Sequence, residues 1–231
     1  EILRKIGFED PSHPIVAGIL RYLSSGDGFD GSVWTFTVTT NDEYPHAPWW
    51  HYDESVNKDY YNPTACLAGF LLRFAKKDSE LYRLGCRLAQ NAWEQLVAKQ
   101  EADMHLANCY IRLYEYCRKA EVSVIDLGQM EATLRRIVSD NITKDVSAWG
   151  TGYVCRPSSF IKGKDSLFYE DNREWAEKEC DYLIGSQLPD GSWDVFWSWN
   201  GYPDAWAVSK NWWKRHGIIE NLLFLKGMGR L

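Results

Sequence analysis

The sequence predicts an all-α chain built from repeated helical hairpins, and three observations carry that prediction. Apolar residues recur at helical spacing in several capped segments. The stretch Tyr182-Leu-Ile-Gly-Ser-Gln-Leu-Pro-Asp-Gly-Ser-Trp193 passes from an apolar helix end through a Pro-Asp-Gly turn to a Trp. A weaker copy stands at Tyr22-Leu-Ser-Ser-Gly-Asp-Gly-Phe-Asp-Gly-Ser-Val-Trp34. Two copies of one helix-to-turn-to-aromatic unit are the mark of a repeat architecture.

Residues 14–24 read as a short helix with Ile15, Ile19, Tyr22 and Leu23 on its apolar side. Residues 26–31 are turn chemistry, and 34–40 alternate in a way that predicts a brief strand. Residues 41–54 are too broken by proline for a helix. Asn62-Pro63 predicts a helix start, with Asn as the cap and Pro at the first helical position, and the helix continues to Phe74. Asp78 or Ser79 caps the next helix, which carries Leu81, Leu84, Leu88, Ala92 and Leu96 on one stripe. After the tight connection 101–103, residues 104–119 form a helix apolar on more than one side. Neighbours joined so briefly lie antiparallel. Residues 127–139 give a further amphipathic helix, 143–169 a long irregular segment, and 173–186 the helix that ends at the opening motif. Residues 194–207 are a second aromatic loop, and Ser209 caps a last helix that stops at Gly227.

The repeat extends past the turns. Tyr44-Pro-His-Ala-Pro-Trp49 and Tyr202-Pro-Asp-Ala-Trp206 follow Asp30-Gly31 and Asp190-Gly191 in equivalent places. The unit is therefore helix, Asp-Gly turn, aromatic loop with Tyr-Pro, then helix. In the turn, Gly supplies a positive φ. Gln187 is expected to satisfy free backbone groups at the helix end, and Trp193 to pack on the helix it follows.

Composition narrows the class. At 231 residues with no low-complexity linker, the expectation is a single domain, 1–231. The formal net charge of −6, without a Lys/Arg block, argues against nucleic acid or an anionic membrane as partner. No apolar run approaches the roughly 18–20 residues of a transmembrane segment. The chain opens on Glu1-Ile-Leu-Arg-Lys without a start Met, as a trimmed chain would. Six Cys occur with no Cys-x-x-Cys pair, mostly in apolar helical patterns. Buried reduced thiols and a cytoplasmic location are expected. The unusual content is aromatic, with 12 Trp and 13 Tyr concentrated in the loops.

The Gln187-Leu-Pro-Asp-Gly-Ser-Trp193 signature resembles the Gln-Trp repeat of squalene and oxidosqualene cyclases. Asn62-Pro-Thr-Ala-Cys-Leu-Ala-Gly-Phe-Leu-Leu72 is similar to the start of their inner helices. The wider superfamily includes protein prenyltransferase β subunits. The resemblance implies an α/α toroid in which outer helices run into the Gln-Trp turn and inner helices line a central cavity. It also implies an apolar, isoprenoid-like small-molecule ligand. The catalytic strings of that superfamily do not occur here: no Asp-x-Asp-Asp acid motif, no Asp-rich pair for magnesium pyrophosphate, no matching Asp, Cys and His zinc arrangement. The length fits fewer hairpins than a complete toroid, so either hairpins lie upstream or the ring is open.

Chemistry is best placed in 42–54, where Asp42, Glu43, His46, His51, Asp53 and Glu54 stand among Tyr44, Trp49, Trp50 and Tyr52. A carboxyl desolvated by aromatics can serve as a general acid, and a nearby His as a base or metal ligand. The other reading is of solvated acids on a rim of packed aromatics. The equivalent loop offers Asp194, Trp197, Trp199, Tyr202, Asp204 and Trp206, with Asp204 as the candidate acid. If both loops met, they would wall a ligand site. His105, Asn108, Cys109 and Arg112 follow i, i+3, i+4, i+7 and so share one helix face. They either line the ligand site or form a satisfied, partly exposed face. No nucleophile elbow, phosphate-cradling loop or His-Glu-x-x-His pair occurs, so no cofactor is expected and no metal ligands are assigned. Cys155 sits beside Arg156, a cation that can lower a thiol pKa.

Three functional readings follow. The first is an enzyme or binding protein for an isoprenoid-like molecule, whose aromatic walls would stabilise cationic charge. The second is a carbohydrate-active α/α barrel using paired carboxylates and sugar-stacking Trp. The third is a non-catalytic protein-interaction module.

Overall fold

The computed structural model describes residues 2–5, 7–8, 10–53 and 60–231. Among them the chain is all-α, with no strand: α1 (Ile2–Lys5), α2 (Pro14–Ser25), α3 (Thr64–Phe74), α4 (Glu80–Lys99), α5 (Met104–Ala120), α6 (Leu127–Asn141), α7 (Arg173–Ser186) and α8 (Pro203–Gly227). Short 3-10 turns punctuate the connections, including Thr39–Glu43, Pro48–Trp50, Val146–Gly150 and Pro157–Ser159. No helix among the described residues is long and apolar enough to cross a membrane.

Two compact units result. The first comprises Glu1–Phe36 and Glu54–Leu134, the second Thr37–Asp53 and Arg135–Leu231. In the first unit α3 packs on α4 and α5. Ala65, Ala68, Leu71 and Leu72 are buried on α3, and Gly69 lies so near α5 that an added Cβ would stand 3.0 Å from the Leu113 Cα. The small residues of α3 let the two helix backbones approach. Ser79 caps α4 by accepting from the Tyr82 N–H, and Asp103 caps α5 by accepting from the His105 and Leu106 N–H groups. Each satisfies donors that a helix start leaves open. The buried stripe of α4 is Gly85, Leu88, Ala89, Ala92 and Leu96; Leu81 and Leu84 are only partly buried. In α5 the buried set runs from Leu106 through Tyr110, Ile111, Leu113 and Tyr114 to Cys117, which makes it the central helix of the unit.

Three local expectations are corrected. Residues 34–40 form no strand, only a single bridge between Phe29 and Trp34, and the Trp34 N–H is spent on the Thr64 Oγ1 at 2.8 Å. Alternation without a neighbouring strand leaves nothing to pair with. Asn62 does not cap α3; its side-chain oxygen accepts from the Cys109 Sγ at 3.3 Å, and the helix starts at Thr64. Finally α8 begins at Pro203, so Ser209 lies inside it. Pro at the first position and Asp204 in the first turn suit a helix start, because the missing N–H costs nothing and the acid meets the positive dipole end.

In the 182–193 motif of the second unit, buried Trp193 lies against the helix it follows and also makes the helix-end bond expected of Gln187. Gln187 closes the turn, its Nε2 donating to the Gly191 carbonyl at 3.0 Å. Trp193 satisfies the helix end, its indole N–H donating to the Leu183 carbonyl at 2.9 Å. Asp190 accepts from both the N–H and the hydroxyl of Ser192, while Gly191 takes φ +80°. The Ser192 hydroxyl and then its N–H hold the Asp190 carboxyl below its ordinary pKa. The first-unit copy keeps the turn: Asp30 accepts from Ser32 and Val33 N–H, and Gly31 has φ +100°. Its Trp34 indole N–H is buried and has no partner among the described residues, so that copy lacks the helix-end bond. Trp193→Phe is expected to cost about 1–2 kcal/mol by leaving the buried Leu183 carbonyl unpaired. Thermal unfolding followed by circular dichroism should show a Tm lower by about 2–8 °C.

Candidate functional site

The residues singled out in the two aromatic loops all belong to the second unit, apart from Glu54, which lies outside the described residues. The first loop is shaped by two 3-10 turns. Thr39–Glu43 carries Asp42, and Pro48–Trp50 carries both Trp. The Asn41 side-chain amide donates to the Trp50 carbonyl at 3.0 Å and ties the two turns together. Asp42 is the hub. Its Oδ1 accepts from the Tyr52 N–H at 3.2 Å, lies 3.0 Å from the His51 Nδ1 and lies 3.4 Å from the His46 Nε2. His46 is fixed from its other side, because Nδ1 is 2.6 Å from the Tyr44 carbonyl.

The second loop reaches this place through its aromatics. Trp49 meets Trp197 edge-on with ring centroids 5.8 Å apart, and His46 faces Tyr202 at 5.8 Å. Trp197 extends the cluster to Trp206 and Trp213, both at 5.0 Å, and Trp199 lies 5.5 Å from Trp206. These spacings lie within the range of favourable tilted and edge-to-face pairs. The cluster is open: Trp49, Trp50, Tyr202 and Trp213 are all exposed by more than a third. Asn200 and Tyr202 hold φ values of +58° and +49° on either side of Gly201. A left-handed conformation is uncommon for Asn and an outlier for Tyr, costing the latter roughly 1–2 kcal/mol. Such strain tends to gather where a chain must present a group in one position. Here it delivers Tyr202 to His46.

The remaining candidates are placed as follows. Glu43, Asp53 and Tyr44 are exposed in the first loop. Asp204 is exposed in the first turn of α8. Asp194 is held below its ordinary pKa chiefly by the Val195 N–H, with Lys210 at 3.3 Å assisting. His105, Asn108 and Arg112 belong to the first unit, on α5. His105 is exposed, the Asn108 amide donates back to the Met104 carbonyl, and Arg112 pairs with Glu115 at 3.2 Å. Cys155 is corrected as well: burial pushes its thiol up to about 11, so the neighbouring Arg156 does not activate it.

Sequence reasoning named Asp42, His46 and His51 singly and missed them as a set. Their ligand atoms all lie within 4.8 Å of one another. The signal available was the spacing Asp-x3-His-x4-His, which the chain around the two 3-10 turns brings to one point. No family model matches the chain, and no curated protein or solved structure matches it.

Proposed function

We propose that this protein binds, as ligand or substrate, an apolar isoprenoid-like small molecule on the aromatic face of its second unit. The scaffold we propose for it is of the squalene-cyclase-like α/α-toroid type. The observation that carries the reading is the meeting of two loops about 150 residues apart in sequence, through Trp49 with Trp197 and His46 with Tyr202. A half-exposed Trp cluster backed by a polar hub is what an apolar molecule with one polar end requires. The π faces would add stabilisation of any positive charge on the ligand. The free thiols Cys66, Cys86, Cys109, Cys117, Cys155 and Cys180 support a reducing, cytoplasmic setting.

A carbohydrate ligand is the second reading, favoured by one observation: the Trp exposed beside Asp42 and the imidazoles are not sealed from water. The experiment separates the two. Tryptophan fluorescence and thermal shift are recorded with farnesyl diphosphate, a neutral isoprenoid alcohol and a panel of oligosaccharides. An isoprenoid at a hundred times its Kd should stabilise by about 2.7 kcal/mol. Trp49→Ala, an exposed truncation, should weaken that binding about tenfold, equal to roughly 1.4 kcal/mol, with helical content unchanged. A response to oligosaccharides alone, lost in the same variant, transfers the site to the second reading. No response to either class overturns both and leaves an interaction surface.

A further inference from the structure

From the geometry around Asp42 we infer that Asp42, His46 and His51 form a binding site for one divalent transition-metal ion of the zinc type. The site does not depend on which organic ligand the aromatic face takes. Two ligand atoms held about 2.0–2.1 Å from a common tetrahedral centre stand about 3.3 Å apart. The Asp42 Oδ1 is 3.0 Å from the His51 Nδ1 and 3.4 Å from the His46 Nε2, and all three ligand atoms fit within 4.8 Å of one another. The two Asp42 separations therefore match those of a shared cation, and side-chain rotation of His46 and His51 closes the remaining pair.

A second observation points the same way. The His46 Nδ1 is 2.6 Å from the Tyr44 carbonyl. A carbonyl can only accept, so Nδ1 carries a proton, and Nε2, the atom that faces Asp42, is the ring nitrogen left to meet a cation. This is the arrangement by which a backbone carbonyl fixes the tautomer and orientation of a metal-ligating His. The Tyr52 N–H steadies Asp42 in turn, at 3.2 Å. At His51 the cation would take the place of the proton now shared with the carboxylate.

The donor set names the kind of ion. Two imidazole nitrogens and one carboxylate suit zinc, iron or cobalt; magnesium and calcium favour all-oxygen shells. Three protein ligands leave a coordination position open, as in catalytic and not in structural zinc sites. Accessibility agrees, since the side chains of Asp42, His46 and His51 are 38%, 16% and 64% exposed, enough for an ion and a ligand oxygen to enter. The His46 ring also faces Tyr202, so an oxygen on that position would stand beside the aromatic face.

The test uses the full chain, freed of metal with a chelator and titrated separately with Zn²⁺, Co²⁺, Mg²⁺ and Ca²⁺. Calorimetry should give one tight equivalent of Zn²⁺ per chain, with Mg²⁺ and Ca²⁺ bound far more weakly. Asp42→Asn and His46→Ala should each weaken Zn²⁺ at least a hundredfold, while His216→Ala, on α8 outside the set, should not. If those variants fail to fold, the wild type decides the matter by ring resonances: two of its five His should shift together on adding one equivalent of Zn²⁺. Absence of a tight Zn²⁺ equivalent, a preference for Mg²⁺ or Ca²⁺, or equal affinity in the folded variants overturns the site. The isoprenoid and oligosaccharide titrations repeated on chelator-treated protein keep this result separate from the ligand reading.

Discussion

Glu179→Ala is expected to lower the stability of the second unit by about 3–5 kcal/mol, because it removes one side of a buried charged network. Glu179 lies on α7 with no exposed surface. Its carboxylate accepts from the Ser158 N–H at 2.7 Å and the Ser158 hydroxyl at 2.6 Å, and pairs with the Arg156 Nε at 3.2 Å. Lys162 completes the group by donating to the Ser158 carbonyl at 2.6 Å. One glutamate thereby anchors the irregular segment before α7, where few backbone groups have helical partners. The alanine leaves a half-buried N–H, a half-buried hydroxyl and a guanidinium without their acceptor. Arg156 keeps partial access to water, which places the loss toward the lower end of that range. Urea unfolding of both proteins measures it, and a loss below about 1 kcal/mol would show that solvent replaces the network.

The same residue sets a pH dependence. Burial raises its pKa, and the Arg156 charge and the Ser158 donors only partly oppose that. The folded value therefore lies above the ordinary glutamate value of 4.5. A group raised in the folded state contributes stability that is full below the unfolded pKa and is lost as pH rises through the folded one. Glu179→Gln, which cannot titrate, should remove that decline from the stability curve.

What the sequence made legible depended on whether the decisive partner was close in the chain. Ser79 was readable as a cap because a cap's partners lie two or three residues on, whereas Asp103 was read only as the end of a tight connection. The periodicity of α4, α6 and α7 was readable because one stripe faces one core. Asn62 looked like a cap and is not one, because Cys109 competes for it from 47 residues away. The stretch with Tyr202-Pro203 was read as the end of an aromatic loop; with Asp204 behind it, Pro203 starts α8. In the candidate site the residue types were legible and their partners were not. Nothing in the order of residues brings Tyr202 to His46 or Trp197 to Trp49. The spacing of His105, Asn108 and Arg112 puts them on one face of α5, but periodicity does not say to which compact unit a face belongs.

Gly227→Ala is expected to cost about 3 kcal/mol, while Gly217→Ala in the same helix should stabilise by roughly 0.5–1 kcal/mol. The sequence gives no reason for opposite signs, since both are helical glycines of α8 where alanine has the higher propensity. The difference is space. A Cβ on Gly217 meets nothing within 4 Å, whereas one on Gly227 would stand 2.1 Å from the Lys162 carbonyl oxygen and 3.0 Å from the Gly163 Cα. Those are backbone atoms, so no rotamer change relieves the clash. Gly163 answers Gly227 from the other side, where its own Cβ would come 2.9 Å from the Gly227 carbonyl oxygen, and that oxygen accepts the Lys164 N–H at 3.2 Å. The end of α8 thus sits on the 162–164 backbone, next to the segment that Glu179 anchors. Displacing it would strain the chain that runs back through α8 to Trp206 and Tyr202. Gly227→Ala should therefore also weaken the ligand response of the aromatic face, which Gly217→Ala should leave intact. Comparing both variants by urea unfolding and by the isoprenoid titration decides the matter: equal stabilities would mean the α8 end moves freely off the 162–164 backbone.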